Sequence, residues 1–236
     1  MRYFLYLFLI LISLISSFVH AQTYVVKLGD TPVKILKERG RGKTFVHLHE
    51  SEFTAFAAAK CFIKREGGTL IALKHSGQRN VRFYLKGVRY EFDPNRIFTD
   101  KGIKRTLKKF GPYSRAAHRE VKKLAQKIIF LLPKGKVIAV HNNRDYSIKE
   151  YFPKHSLAGD AKEIHYRPRT SYRNFYFVTK REDYERLKRL NFNVALQATK
   201  AQDDGSLSYY LARKNYINIE SGYGEMVAQL KMLHHA

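Results

Sequence analysis

The chain has 236 residues, 44% of them hydrophobic, and a formal charge of +24 from 44 Lys and Arg against 20 Asp and Glu. That length suits one full α/β core, and the single cysteine, Cys61, excludes an intrachain disulfide. So basic a chain implies anionic surroundings, with a cell-envelope surface ranked first and nucleic acid last.

Residues 1–21 read as a secretory signal peptide: Met1-Arg2, an apolar run from Tyr3 to Phe18, and Val19-His20-Ala21 before Gln22. The run is short for a bilayer span of about 20 residues, so cleavage after Ala21 is favoured over an anchor. The expected mature chain, 22–236, is then one exported domain. Lack of disulfides fits a periplasmic or secreted bacterial protein.

Thr23 to Leu28 reads as a first strand and Lys43 to His49 as a second. Glu50 to Arg65 has Phe53, Phe56, Ala57 and Cys61 at helical spacing, and Gly67-Gly68 ends it. Thr69 to Lys74 is a strand, and Val81 to Tyr84 and Val88 to Phe92 flank a Lys86-Gly87 hairpin turn. Ser114 to Leu132 is the longest helix, stopped at Pro133-Gly135. Lys136 to His141, Phe175 to Thr179, Asn193 to Gln197 and Tyr216 to Glu220 read as strands. Arg181 to Leu190 and Glu225 to Leu233 read as helices, and His155 to Ser171 as a long loop. Interleaved strands and helices predict an α/β fold: a mainly parallel or mixed twisted sheet with helices on both faces.

Residues with metal or acid–base chemistry fall at predicted strand ends, where open α/β sheets place ligand sites. His47-Leu48-His49-Glu50 offers an H-x-x-E pair, and His141 follows another strand. Catalytic zinc takes three such protein ligands and keeps one open position. The preferred set is His47, Glu50 and His141, with His49 as the alternative first ligand.

Phe92-Asp93-Pro94-Asn95-Arg96-Ile97-Phe98 resembles the D-x-N-R-x-F signature of the zinc carboxypeptidases. His47, Glu50, Asn95-Arg96, His141 and Glu220 stand in that family's order across nearly all of the mature chain. The resemblance implies a single Zn²⁺, a general base at Glu220, and a substrate carboxylate held by Asn95 and Arg96. An oxyanion-stabilising arginine is implied too, at Arg79 or, second, Arg82. The family's mobile-loop tyrosine has no clear counterpart here. The expected substrate is a peptide or peptidoglycan fragment.

One alternative is a zinc N-acetylmuramoyl-L-alanine amidase, whose H-x-N and E-x-G-F elements His141-Asn142 and Glu220-Ser221-Gly222-Tyr223 resemble. The other is a non-catalytic basic domain that binds the cell envelope.

Overall fold

The computed structural model describes residues 20–236. Apart from its last two residues, the expected signal peptide lies outside them. No helix among the described residues is long and apolar enough to cross a membrane.

Among the described residues eleven strands follow in chain order: β1 (His20–Leu28), β2 (Thr31–Arg39), β3 (Thr44–His47), β4 (Thr69–Lys74), β5 (Val81–Leu85), β6 (Val88–Phe92), β7 (Val137–Asn143), β8 (Ala161–His165), β9 (Phe175–Val178), β10 (Val194–Gln197) and β11 (Tyr216–Gly222). The α-helices among the described residues are α1 (Phe53–Glu66), α2 (Asp100–Phe110), α3 (Arg115–Leu131), α4 (Arg181–Arg189), α5 (Leu207–Tyr210) and α6 (Met226–His235). Nine strands form one sheet in the order β1-β2-β4-β3-β7-β11-β9-β10-β8, and β5-β6 is a separate hairpin. The middle strands β4, β3, β7 and β11 run parallel, whereas β1, β2, β9 and β8 introduce antiparallel pairs. The sheet is therefore mixed.

Each face buries its own apolar layer. On one, Val33, Ile35, Val46, Ile71 and Ala139 meet α2, α3 and the hairpin through Ile103, Leu107, Val121, Leu124 and Phe83. On the other, Phe45, Leu70, Ile138, Val140 and Ile217 meet α1, α4 and α6 through Ala58, Phe62, Leu187 and Leu233. Period-2 alternation along each central strand divides the residues between the layers.

β2, α2, β8 and the short helix α5 are additional to the elements expected from the sequence. β2 buries Val33 and Ile35 on either side of an exposed Lys34, so only two buried apolar residues announce it. α2 carries four buried residues, Gly102, Ile103, Thr106 and Leu107, behind an otherwise basic surface. Its start is fixed by Thr99, whose Oγ accepts the Gly102 N–H at 3.0 Å. Within the expected loop 155–171, Ala161 to His165 adds β8 as an edge strand against β10. Lys86 and Gly87 both have positive φ, 52° and 75°, the backbone that a two-residue hairpin turn requires.

Candidate metal centre

β3, β7 and β11 are neighbouring parallel strands, so their carboxyl ends open on one edge. In β7, Val137 and Ala139 face the α2/α3 layer, and His141 continues that alternation. In β11, Tyr216, Asn218 and Glu220 share this face, and Glu220 pairs in register with His141. A cavity of about 720 Å³ opens there, lined among others by His49, Glu52, Arg79, Arg96, His141 and Glu220.

Among the described residues, His49, Glu52 and His141 form the group that could hold a metal ion: all three are buried, with one ligand atom from each lying within 4.8 Å of the others. The two Nδ1 atoms are 3.2 Å apart. Each also stands 2.8 Å from a Glu52 carboxylate oxygen. Donors about 2.05 Å from a tetrahedral zinc ion lie about 3.3 Å from one another, so this set needs only slight expansion to surround one. His49 is turned inward because its Nε2 bonds Asp93 Oδ1 at 2.7 Å. A carboxylate behind a ligating imidazole fixes the ring in this way. Gln229 holds the strand beneath His141 by donating to its carbonyl at 3.0 Å.

Electrostatics follow from this crowding. Burial opposes charge on His49, but Glu52 and Asp93 outweigh it and push the imidazole up to about 9. Burial would raise the Glu52 and Asp93 carboxyls, yet the imidazoles beside Glu52, and His49 with two arginines beside Asp93, hold both below their ordinary values. Such a carboxylate is ionised and ready for a cation.

The expected pair His47 and Glu50 is not the one brought to His141. Strand parity explains His47. Val46 pairs with Ala139 on the α2/α3 face, so His47 projects to the other face, where its ring lies 5.4 Å from Phe56. Its Nε2 bonds the Glu52 carbonyl at 3.0 Å. Glu50 turns away, and its Oε2 accepts the backbone N–H groups of His75, Ser76 and Gly77. Beyond β3 the chain makes a tight turn, with Glu52 N donating to His49 O at 3.0 Å. That turn brings a second H-x-x-E pair, His49 and Glu52, onto the cavity face.

Burial holds the His47 imidazole at about 4, against an ordinary 6.5. The unfolded chain binds this proton below about 6.5 and the folded chain only below about 4. The stabilisation is therefore complete above pH 6.5 and is lost as pH falls toward 4, by up to about 3 kcal/mol. Urea unfolding at pH 7 and pH 4.5 should show a flatter pH dependence for His47→Gln than for the wild type. Equal slopes would refute this neutral, buried His47.

Of the other predicted residues, Glu220, Asn95, Arg96 and Arg79 line the same cavity and Arg82 does not. Glu220 is 7% exposed, and its two oxygens accept from Asn218 Nδ2 at 3.1 Å and Asn143 Nδ2 at 3.0 Å. Burial raises its pKa, and the Glu52 charge adds to the shift against the opposing pull of His141. Asn95 and Arg96 form a 3₁₀ turn after β6, capped by Asp93 accepting the Asn95 N–H at 2.8 Å. Arg96 reaches the Asn95 carbonyl at 2.9 Å and Asp204 at 3.4 Å. The Asn95 side-chain oxygen is occupied by the Leu207 N–H at 3.0 Å. Arg79 bonds Glu52 and stands 3.7 Å from Asp93. Arg82 pairs instead with Glu91 at 2.8 Å on the hairpin.

Glu52 and the orienting role of Asp93 are additional to the sequence reading. Both had a signal: His49-Glu50-Ser51-Glu52 repeats the H-x-x-E spacing two residues on, and Asp93 begins the D-x-N-R stretch.

Comparison with protein-family models gave no match, and no curated protein matches the chain. Among solved structures it is similar to one from Burkholderia mallei described as a "putative carboxypeptidase", with 13% identity and a TM-score of 0.43. The match covers 91% of this chain and 63% of that one. So loose a likeness carries no weight for function, which rests on the site's own groups.

Proposed function

We propose that the protein is a zinc-dependent hydrolase that cleaves an amide bond beside a free carboxylate, in the manner of the carboxypeptidases it resembles. The observation that carries this reading is the convergence of His49, Glu52 and His141 with Glu220 in one cavity that also contains Arg96. Two imidazoles and a carboxylate are the ligand set of many hydrolytic zinc sites. When bound there, zinc supplies Lewis acidity, polarising a carbonyl and acidifying water.

The chain's own residues do the rest. Glu220, its oxygens fixed by Asn143 and Asn218, accepts the proton of the attacking water and delivers it to the departing amine. Arg96 offers a guanidinium fork to the substrate carboxylate. Arg79 places positive charge where the carbonyl oxygen becomes negative.

We further propose export and a peptidoglycan stem-peptide substrate. The N-terminal sequence supports the first. The cationic surface supports an anionic envelope partner: Lys101, Lys104, Arg105, Lys108 and Lys109 are all exposed on α2, where Asp100 is the only acid. That concentration of one sign attracts a polyanion and weakens with salt.

The test is mass spectrometry of products from the zinc-loaded protein with stem peptides, free or amidated at the C-terminus, and with sacculi. Release of one amino acid from the free-acid peptide alone is expected, with sacculus binding that high salt reverses. Cleavage of the amidated peptide at the same rate would overturn the carboxylate requirement. Release of whole stem peptides from glycan would favour the amidase reading instead.

A further inference from the structure

Glu50 lies between two residues of the metal cluster in sequence but points away from it. Its side chain is 14% exposed, and one carboxylate oxygen accepts three consecutive backbone N–H groups, from His75 at 2.6 Å, Ser76 at 2.9 Å and Gly77 at 2.8 Å. Lys74 adds a charge 3.7 Å from the other oxygen. Successive N–H groups converging on one point form an anion-binding nest, and here the anion is supplied by the chain. Gly77, at φ 72°, permits the backbone curl that aims its N–H inward.

This loop joins β4 to β5, and two residues beyond the nest it delivers Arg79. The far side of the loop is held as well, by Asn80 donating to Glu91 at 2.9 Å. Between the two anchors, the Arg79 guanidinium reaches Glu52 and approaches Asp93. The Arg79 side chain is itself 54% exposed, so packing alone does not fix its direction. Glu50 also sits one residue after His49 and two before Glu52. The same short turn therefore shapes the metal cluster and anchors the arginine loop.

We propose that Glu50 is a positioning residue, which holds the 75–77 loop by its three N–H groups so that Arg79 is aimed at the metal centre. The catalytic consequence rests on the hydrolase reading above; the structural one does not. Glu50→Gln keeps the size of the side chain but exchanges an ionised acceptor for a neutral amide, which weakens the nest.

A double-mutant cycle with Arg79→Ala tests the coupling. Glu50→Gln alone should lower kcat by roughly 10–100-fold, with KM less affected and zinc content unchanged. In the Arg79→Ala background the same change should have little further effect, because its target is gone. Additive losses would overturn the proposal, as would wild-type kcat in Glu50→Gln or loss of zinc from it. Crystal structures of wild type and Glu50→Gln, with hydrogen exchange at 75–77, give a readout independent of turnover. Arg79 leaving Glu52, with faster exchange in the variant, supports the positioning role even if no substrate is cleaved; an unmoved Arg79 refutes it.

Discussion

Glu220→Gln is expected to lower kcat by roughly 10²–10⁴-fold while the protein keeps its full complement of zinc and its fold. Glutamine preserves the size of the side chain and can still bond Asn143 or Asn218, so packing survives. What disappears is the proton acceptor. Glu220 is a suitable base because burial and the nearby Glu52 charge raise its pKa, so the carboxylate binds a proton more readily than a solvated one. Steady-state kinetics and metal analysis on the same preparation check this. A variant with kcat within threefold of wild type would remove Glu220 from the chemistry, whereas loss of zinc would make it part of the metal site.

The second large effect concerns which H-x-x-E pair is used. His49→Ala, Glu52→Ala and His141→Ala should each weaken zinc binding by more than the roughly 10–100-fold typical when a group behind a ligand is lost. His47→Gln and Glu50→Gln should retain stoichiometric metal. The reasons are geometric: the first three side chains converge on one point, while His47 faces the α1 layer and Glu50 faces a backbone loop. Competition with a chromophoric chelator measures the affinities. Zinc retained by His49→Ala but lost from His47→Gln would reverse the assignment.

Much of the fold could be read from the chain because its central strands are compact apolar runs and its long helices have clear stops. Thr69 to Lys74 and Val88 to Phe92 coincide with β4 and β6. β2 and α2 were harder, since their buried residues are few and set among lysines and arginines, so burial in the tertiary structure outweighs a weak local pattern. Around the candidate site, His141 and Glu220 stood out as strand-end residues, and both reach the cavity. The first ligand pair depended on where β3 stops. Read as a strand through His49, the chain gives no turn to gather 49 with 52; with β3 ending at His47, it does. Strand boundaries are the least certain part of any reading from periodicity, and here a shift of two residues exchanges one H-x-x-E pair for another.

The in-register partnership of Glu220 and His141 across β7 and β11 bears on how the proposed site would age and evolve. The spacing between these two side chains is set by main-chain ladders in the middle of a nine-stranded sheet, among the last parts of a protein to open. Arg79, Arg96 and the walls around them hang on connecting segments, which can drift without disturbing that spacing. Under the proposed function, substrate preference could thus be rewritten by exchanging loops, while the Glu220–His141 spacing is inherited intact with the backbone.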